Sequence, residues 1–478
     1  IVQAGSYDIT KPSRPFSPGT LHVGGDLYST GKIAVAASSP SNYGKIAVTG
    51  SAALGGTTFT TVPGSTYQSA TYKSVVTTTN GTITGVSPSF APFTLFLSAK
   101  GMVSDNKKAL DMELMSANNF ISTRQQQTYR SLEGLYDQST LNYFASLDAA
   151  QANGVLTSIY GGAQLNQAAL IQNDNTFGQA IAARLSYINQ TKSQTMSFTL
   201  PTFAPGTYTV NAIIPLELDS RNSWWLKTAK GWGSTSGRDG LPSLDNQNFG
   251  IVLGQDKKAG DHWRTGVLMG YSQNTVTSSL SNTSSHGYRF GLYGGYGKEA
   301  FTLQTHLDYG RQGNTATRYL QDLLLQNLKA GSSYDSNTLS FGLSASYNLH
   351  HGKDKLWQVS PYAGIHISRY NQDGYSESGA GKLSQLADPF ANTYSTGEIG
   401  LEMARQIPKG RYAFRVGYKR VLSGIDPDLT IAFSGAAGSK LTIRGSEQDK
   451  EQLTFGLSIQ GELAKDWTID SQINHQQG

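Results

Sequence analysis

Two side chains that could take part in acid–base chemistry, His306 and Asp308, lie two residues apart in the segment FTLQTHLDY. A carboxylate beside an imidazole can orient it as a general base when a nucleophile lies within hydrogen-bond reach. The chain has no cysteine, and it contains no GxSxG, HExxH or GxxxxGKS/T motif. His350 and His351 lie in a polar turn, where solvated side chains are more common than metal ligands. We therefore predict no catalytic site, no metal site and no cofactor, and we interpret His306 and Asp308 as lining a water-filled lumen.

The elements that carry these residues alternate apolar and polar side chains with a period of two, as strands do. The segments FTLQTHLDY, LSFGLSASYNL, RYAFRVGYK and LTFGLSIQ all show this pattern. A soluble β-sandwich fills its apolar face mainly with Val, Ile and Leu, whereas here aromatic residues such as Trp263, Tyr288 and Trp357 lie towards strand ends. This pattern favours a transmembrane β-barrel. The candidate lumen-facing residues are Arg264, Arg289, His306, Asp308, Glu398, Glu402, Arg411, Arg415 and Lys419.

Eleven such strands are predicted in the C-terminal half of the chain. They lie near residues 224–233, 247–256, 262–274, 286–298, 300–312, 337–350, 356–370, 392–405, 411–422, 451–463 and 466–475. Short connections alternate with long ones at 313–336, 371–391 and 423–450, and long loops of such barrels face the outside. Because closed single-chain bacterial barrels have an even number of strands, a count of eleven is one strand short.

The N-terminal part consists of short β-prone pieces separated by glycine, as in LHVGGDLYSTGKIAVAASSPSNYGKIAVTGSAALGG. Such pieces suit the rungs of a parallel β-helix, in which each rung buries its apolar face on the next. A small β-sandwich is the alternative. Turn residues predict hairpins around Asn80-Gly81 and around Asp105-Asn106.

A helical segment separates the two β-rich parts. Between residues 115 and 190 apolar residues recur at helical spacing, as at Leu141 and Phe144, and Asn153-Gly154 predicts a break. Three prolines between residues 191 and 222 indicate a loop with short strands.

Composition excludes several classes of protein. The net charge is +5 with 15% charged residues, and these charges are scattered, unlike those of a nucleic-acid binder. No stretch approaches the ~18 consecutive apolar residues of a membrane helix. The absence of cysteine is typical of a protein that crosses an oxidising periplasm. Residues 1–6 lack the features of a signal peptide although the rest has the character of an exported protein, so we expect a longer natural chain.

The segment SWWLKTAKGWGSTSGRDGLPSLDNQNFGIVLGQDKKAGDHWRTGVLMGYSQNTV resembles the opening of the bacterial autotransporter β-domain. The pieces YRFGLYGGYG, VSPYAGIHISRYNQDGYSESGAG and YAFRVGYKRVL follow in the order of that family, and LTSIYGGAQLNQAALIQNDNTFGQAIAARL is similar to the helix that precedes its barrel. The glycine-punctuated N-terminal part resembles the end of a pertactin-like passenger with its autochaperone region. The resemblance covers nearly the whole chain.

The resemblance implies an all-β protein with a 12-stranded antiparallel transmembrane β-barrel, whose last strand this chain lacks. A helical linker or plug precedes the barrel, and the end of a right-handed parallel β-helix precedes the linker. The implied domains are 1–114 for the passenger end, 115–222 for the linker and pore segment, and 223–478 for the barrel. The implied function is an autotransporter that exports its own passenger, an adhesin or virulence factor, and anchors it at the surface from the bacterial outer membrane.

The resemblance also implies a helix inside the pore. Its job after transport would be to plug the lumen, and the candidate residues are Asn175, Phe177, Gln179, Ala182, Ala183 and Arg184. Some members of the family cut passenger from barrel by cyclisation of an Asn in the pore. Asn118-Asn119 lies far upstream of the first predicted strand and favours a plain loop, and an N-cap role is simpler for Asn173 to Asn175.

The implied partners are outer-membrane lipid and lipopolysaccharide, the barrel assembly machinery, periplasmic chaperones and the chain's own passenger, without nucleic acid. Two other functions stay open at this point. A general porin-like channel would have the same polar lumen without a plug, and a soluble adhesive β-protein would need no membrane.

Overall fold

The computed structural model describes residues 2–4, 18–87, 89–161, 181, 184, 207–219, 222–237, 242–349, 357–407, 410–424, 428–444, 449–464 and 467–477. The chain divides into two compact units. The first consists of residues 1–160 with 320–328, and the second of residues 161–319 with 329–478.

Short strands make up most of the first unit. They are β1 (Val2–Ala4), β2 (Thr20–Val23), β3 (Leu27–Tyr28), β4 (Lys32–Val35), β5 (Ala37–Ser39), β6 (Asn42–Tyr43), β7 (Lys45–Val48), β8 (Ala52–Ala53), β9 (Thr58–Thr60), β10 (Thr71–Thr78), β11 (Ile83–Thr84), β12 (Ala91–Pro92), β13 (Leu97–Val103) and β14 (Ala109–Ser116).

Parallel pairing relates successive turns of this part of the chain. β1, β4 and β9 pair in parallel, as do β2, β7 and β10, and likewise β3, β8 and β11. Ile33, Val48, Leu54 and Val76 share one buried core. Each turn therefore buries its apolar residues on the next, and that these turns form a β-helix stays a prediction. The right-handed sense of the coil stays a prediction.

Of the two predicted hairpins, only the second is present. β13 and β14 pair antiparallel around Asp105-Asn106. The prediction at Asn80-Gly81 is wrong, because β10 and β11 belong to different sheets and the turn is a corner between them. A side chain at Gly81 would come within 2.4 Å of the Ser51 backbone, so glycine is needed where this corner stacks on the previous one.

Three helices follow: α1 (Thr123–Glu133), α2 (Gln138–Ala145) and α3 (Ala149–Tyr160). Ser122 and Gln125 form a capping box at the start of α1. The predicted break at Asn153-Gly154 is wrong, because α3 runs through it. The Asn153 side chain donates to the Asn119 carbonyl at 2.8 Å and Gln125 donates to the Asn153 carbonyl at 3.0 Å, contacts that offset a low helix propensity. No helix in the described part of the chain is long and apolar enough to cross a membrane.

The second unit is built mostly of long strands. They are β15 (Thr207–Asp219), β16 (Asn222–Thr235), β17 (Leu244–Ala259), β18 (Trp263–Thr277), β19 (Ser281–Lys298), β20 (Phe301–Gln321), β21 (Asn327–Tyr347), β22 (Trp357–Gln372), β23 (Tyr375–Ser376), β24 (Gln385–Ala387), β25 (Phe390–Ile407), β26 (Gly410–Ser423), β27 (Asp428–Phe433), β28 (Ala436–Arg444), β29 (Glu451–Ala464) and β30 (Trp467–Gln477), with a short 3₁₀ helix at Gly381–Leu383.

Twelve of these described strands form a closed barrel in the order β15 to β22, β25, β26, β29 and β30. Eleven of them correspond to the predicted strands. The twelfth, β15, lies in the segment that the sequence assigned to the linker, and it pairs with β16 on one side and β30 on the other. The sequence led us to expect an unpaired edge at the last predicted strand, β30. In the structure β15, which precedes the other eleven strands in the chain, pairs with that edge.

The long connections differ from the prediction. Residues 313–336 are not a loop, since β20 and β21 extend to Gln321 and from Asn327. Polar residues can continue an antiparallel ladder when both of its faces meet water. The other two long connections contribute β23, β24, β27 and β28, which pair as a separate four-stranded sheet.

The barrel strands carry large apolar residues on one face and polar residues on the other. Met269 and Leu292 are 50% and 60% exposed, whereas their neighbours Leu268 and Tyr293 are buried. In a closed barrel the exposed face is the outside, so we call the opposite face the inner face. An apolar outside with a polar inside is the arrangement that a bilayer requires.

Candidate functional site

The nine residues that the sequence nominated for the lumen lie on strands of the closed barrel. The strands position them by alternation, and all except Lys419, which precedes Arg420, lie between two apolar, aromatic or small residues. The structure groups them into three clusters around the ring, and it adds partners that the sequence did not nominate.

The first cluster centres on Asp256 of β17, whose side chain is fully buried. Arg184 reaches it with a two-pronged contact, Nε to Oδ2 at 2.7 Å and Nη2 to Oδ1 at 3.0 Å. Arg264 of β18 donates to the same carboxylate and, at 3.0 Å, to the hydroxyl of Ser223. Tyr293 donates its hydroxyl to Asp256 Oδ2 at 2.7 Å. A buried carboxylate therefore has two cationic partners and a phenol, which offset the loss of its hydration.

An aromatic pair extends this cluster along the inner face. Trp225 of β16 donates its indole N–H to the Tyr293 hydroxyl at 2.6 Å. Glycine makes room for both rings, because a side-chain carbon at Gly254 would lie 2.3 Å from the Trp225 ring and one at Gly266 would lie 2.4 Å from Tyr293. The position of the carboxylate is therefore fixed by packing as well as by charge.

The second cluster lies six strands further round the ring. Tyr362 of β22 and Thr454 of β29 donate to Glu398 Oε1 at 2.7 and 3.0 Å. The guanidinium of Arg415 lies 3.6 Å from the centre of the Tyr362 ring. Lys419 is the cross-strand partner of Glu398 in the ladder of β25 and β26. Cation–π and charged hydrogen bonds thus hold this wall together.

Two further nominated residues, Glu402 and Arg411, form an ion pair with each other beside the second cluster. Here too the inner face pairs its charges across the β25–β26 ladder.

The third cluster contains the residues that first suggested chemistry. Arg289 donates to Asp308 at 2.7 Å, and both side chains are buried. His306 lies over Gly342, with its Nε2 atom 3.8 Å from Asp308, and its ring centre is 5.8 Å from that of His366. Asp308 is thus paired with an arginine on the neighbouring strand. Among the residues described, no group of three or more His, Asp or Glu side chains could hold a metal ion.

Of the six nominated pore residues, Arg184 is the one whose side-chain contacts are described. Asn175, Phe177, Gln179, Ala182 and Ala183 lie outside the described residues, as do Asn173 and Asp174. The sequence missed Asp256, Tyr293 and Trp225. Asp256 could have been found from its strand, because it shares a face with Val252 and Gly254 at a spacing of two.

Asn119, weighed above for chain cleavage, has a structural role. Its side-chain amide donates to the carbonyls of Thr94 and Leu97 at 2.6 and 2.8 Å and accepts from Ser98. Those contacts close the turn before β13, in agreement with the plain-loop interpretation.

A closed barrel with an apolar outside and a charged, glycine-lined inside can be compared with known families. The family model described as Autotransporter beta-domain matches residues 224–474. The chain belongs to this family. The autotransporter barrel is an outer-membrane translocator domain and not a catalytic one.

Solved structures of autotransporters are similar to this chain. The translocator domain of NalP from Neisseria meningitidis matches with 13% identity and a TM-score of 0.45, covering 65% of this chain and 96% of that one. The beta domain of the Bordetella autotransporter BrkA matches with 16% identity and a TM-score of 0.34, covering 56% and 98%.

Curated relatives of the autotransporter are longer proteins. The extracellular serine protease of Serratia marcescens is 23% identical over 186 residues, which are 39% of this chain and 17% of that protein. The esterase EstA of Pseudomonas aeruginosa is 22% identical over 257 residues, 50% of this chain and 38% of the esterase. This chain therefore spans well under half the length of these relatives, and the enzyme names describe those proteins.

Proposed function

We propose that this barrel exports its own N-terminal β-helical passenger, anchors it at the cell surface, and afterwards closes its pore with the segment that carries Arg184. The observation that carries the proposal is the two-pronged contact between Arg184 and Asp256. Arg184 precedes every barrel strand in the chain, and its side chain contacts the inner face of the barrel through Asp256.

The strength of this contact follows from burial. The side chains of Arg184 and Asp256 are 7% and 0% exposed, so water competes little for either charge. Breaking a buried pair by removing one partner costs about 3–5 kcal/mol when the other charge is left alone. Arg264 and Tyr293 would still hold the carboxylate, so the expected loss is smaller, about 2 kcal/mol.

The remaining parts of the proposal follow the family resemblance. The parallel rungs of the first unit support a passenger with a β-helical end, and stepwise burial of rungs outside the cell would bias movement outward. We propose an adhesin or virulence factor as the passenger, and lipid, lipopolysaccharide, the barrel assembly machinery and periplasmic chaperones as partners. We further propose that this chain itself performs no catalysis.

Conductance across planar bilayers tests the plug. The autotransporter should be closed for most of the time, and Arg184→Ala should raise its open probability about thirtyfold, because 1.4 kcal/mol corresponds to a factor of ten. Arg184→Lys keeps the charge but loses the two-pronged geometry. Its open probability should therefore lie between that of the unchanged protein and that of Arg184→Ala. Heat-modifiable gel mobility checks that each variant is a closed barrel.

Arg311→Ala is the matched control. Arg311 pairs with Asp335 at 2.8 Å on an exposed part of β20, and exposed pairs contribute little. Equal conductance of Arg184→Ala and the unchanged protein would contradict the plug. A steadily open unchanged protein would instead favour a porin-like channel.

A further inference from the structure

The turn between β20 and β21 contains an apolar run in polar surroundings. The sequence there reads YLQDLLLQNLK, and residues 320–328 cluster with the first unit. We call residues 320–328 the tip. A leucine run on a loop that met only water would be unusual, so the tip needs a partner.

The tip is a rigid turn. Asp322 accepts from the backbone amides of Leu324 and Gln326 at 2.9 Å, and its own amide donates to the Gln326 carbonyl at 3.0 Å. Leu325 has a positive φ of 64°, which closes the turn. The geometry of the tip is therefore set by its own hydrogen bonds, and Leu323 at its end is fully buried.

The tip contacts the last turns of α3. The backbone amide of Gln321 donates to the hydroxyl of Ser158 at 3.0 Å, and Ser158 donates in turn to the Val155 carbonyl at 2.7 Å. The Ser158 residue is buried, as are Leu156 and Ile159 beside it. This end of α3 thus offers a polar group and apolar neighbours to the incoming turn.

Tyr136, in the loop before α2, is partly buried. Burial raises the pKa of Tyr136, and the nearby carboxylate of Asp322 raises this pKa further.

We propose that the tip is an intramolecular docking site whose partner is the end of α3. This inference goes beyond the proposed function, because it concerns residues 320–328 and the three helices and not the segment that carries Arg184. The tip follows α3 by some 160 residues in the sequence, so the hydrogen bond between Gln321 and Ser158 can form only after the turn between β20 and β21 has formed. The hairpin then acts as a template on which the helices complete their fold.

Limited proteolysis of the purified full chain in detergent tests the docking without any export. Arg124 and Arg130 in α1 are trypsin sites that report on the helical layer. Leu323→Asp places a charge in a fully buried position, so we expect cleavage at these sites to accelerate at least about tenfold, because a penalty above 1.4 kcal/mol changes an opening equilibrium by that factor. The heat-modifiable barrel should be retained.

Gln326→Asp is the matched control, because it places the same charge on an exposed residue of the tip. It should leave the cleavage rate unchanged. Equal protection of the helices in Leu323→Asp and Gln326→Asp would overturn the docking.

Hydrogen exchange gives an answer that does not depend on Leu323→Asp folding. Ser158→Ala removes the acceptor of the Gln321 amide, so that amide should exchange several-fold faster, while the Gln326 amide, which bonds within the tip, should not change. Unchanged exchange at Gln321 would contradict the proposal. Because neither readout involves Arg184, failure of the pore plug and failure of the docking are distinguishable.

Discussion

The interior of the first unit is apolar, whereas the interior of the barrel carries charged side chains. The core of the first unit is apolar, with Ile46, Leu110 and Met112 shielded from water by parallel rungs and the β13–β14 hairpin. The interior of the barrel holds Arg289, Asp308 and other charges, and its apolar residues point outward. β14 of the first unit alternates buried and less buried residues as the barrel strands do. Alternation gives a strand one apolar face and one polar face. Whether water or lipid surrounds the unit then decides which face points inward.

The cost of burying a charge should separate the two interiors most clearly. Met112→Asp puts an unpaired carboxylate into the apolar core of the first unit, and we expect a loss of more than about 4 kcal/mol in unfolding free energy. Val103 on the same hairpin is 37% exposed, so Val103→Asp should hardly change the unfolding free energy. Protease resistance of residues 18–160 measures the effect. A fully resistant Met112→Asp protein would show that this core is not closed.

The outside of the barrel should respond to charge in the same way as the inside of the first unit. Leu292 is 60% exposed and lies six residues before Lys298 at the short turn, near the middle of a membrane span. Leu292→Arg should cost about 3 kcal/mol in a bilayer, whereas Leu292→Ala should cost less than about 1 kcal/mol. Urea unfolding in liposomes, followed by heat-modifiable mobility, gives both values. Tolerance of arginine there would mean that this face does not meet lipid.

The smallest effect concerns how glycine shapes the inner face. Gly254→Ala should destabilise the barrel by about 2 kcal/mol, because the new carbon would clash with the Trp225 ring, which is tied to Tyr293. Gly294→Ala is the matched control, since its nearest neighbours would be 3.8 Å away. Urea midpoints with Trp fluorescence compare the two. Equal midpoints for both variants would remove the packing argument for the Asp256 cluster.

Local patterns predicted much of the barrel. The outward faces of β21 and β29, with Leu339, Leu343, Leu453 and Leu457, are exposed as expected, because alternation is a local property of a strand. β15 escaped prediction because Pro215 and the prolines before it indicate a loop. The structure accommodates that proline, since the register of β15 with β30 passes from Ile213 to Leu216 without it.

The candidate site was predicted only in part. The sequence nominated Arg264 and Arg289, because charged residues at inward positions stand out against glycine and serine, and the family resemblance nominated Arg184. It could not assign their partners, since Arg184 and Asp256 are 72 residues apart and no local pattern links them. The same limit applies to the tip and Ser158, which are separated by 163 residues.

The sequence by itself determined which residues alternate in eleven of the barrel strands and which family the chain belongs to. These properties depend on residues that are close in the sequence and on the order of the segments. Only the tertiary structure showed that Arg184 donates to the Asp256 carboxylate, that β15 lies between β30 and β16, and that Leu323 is buried. Each of these depends on the closure of the ring or on the register of strands far apart in the chain, and long-range geometry of that kind leaves no periodic trace in the sequence.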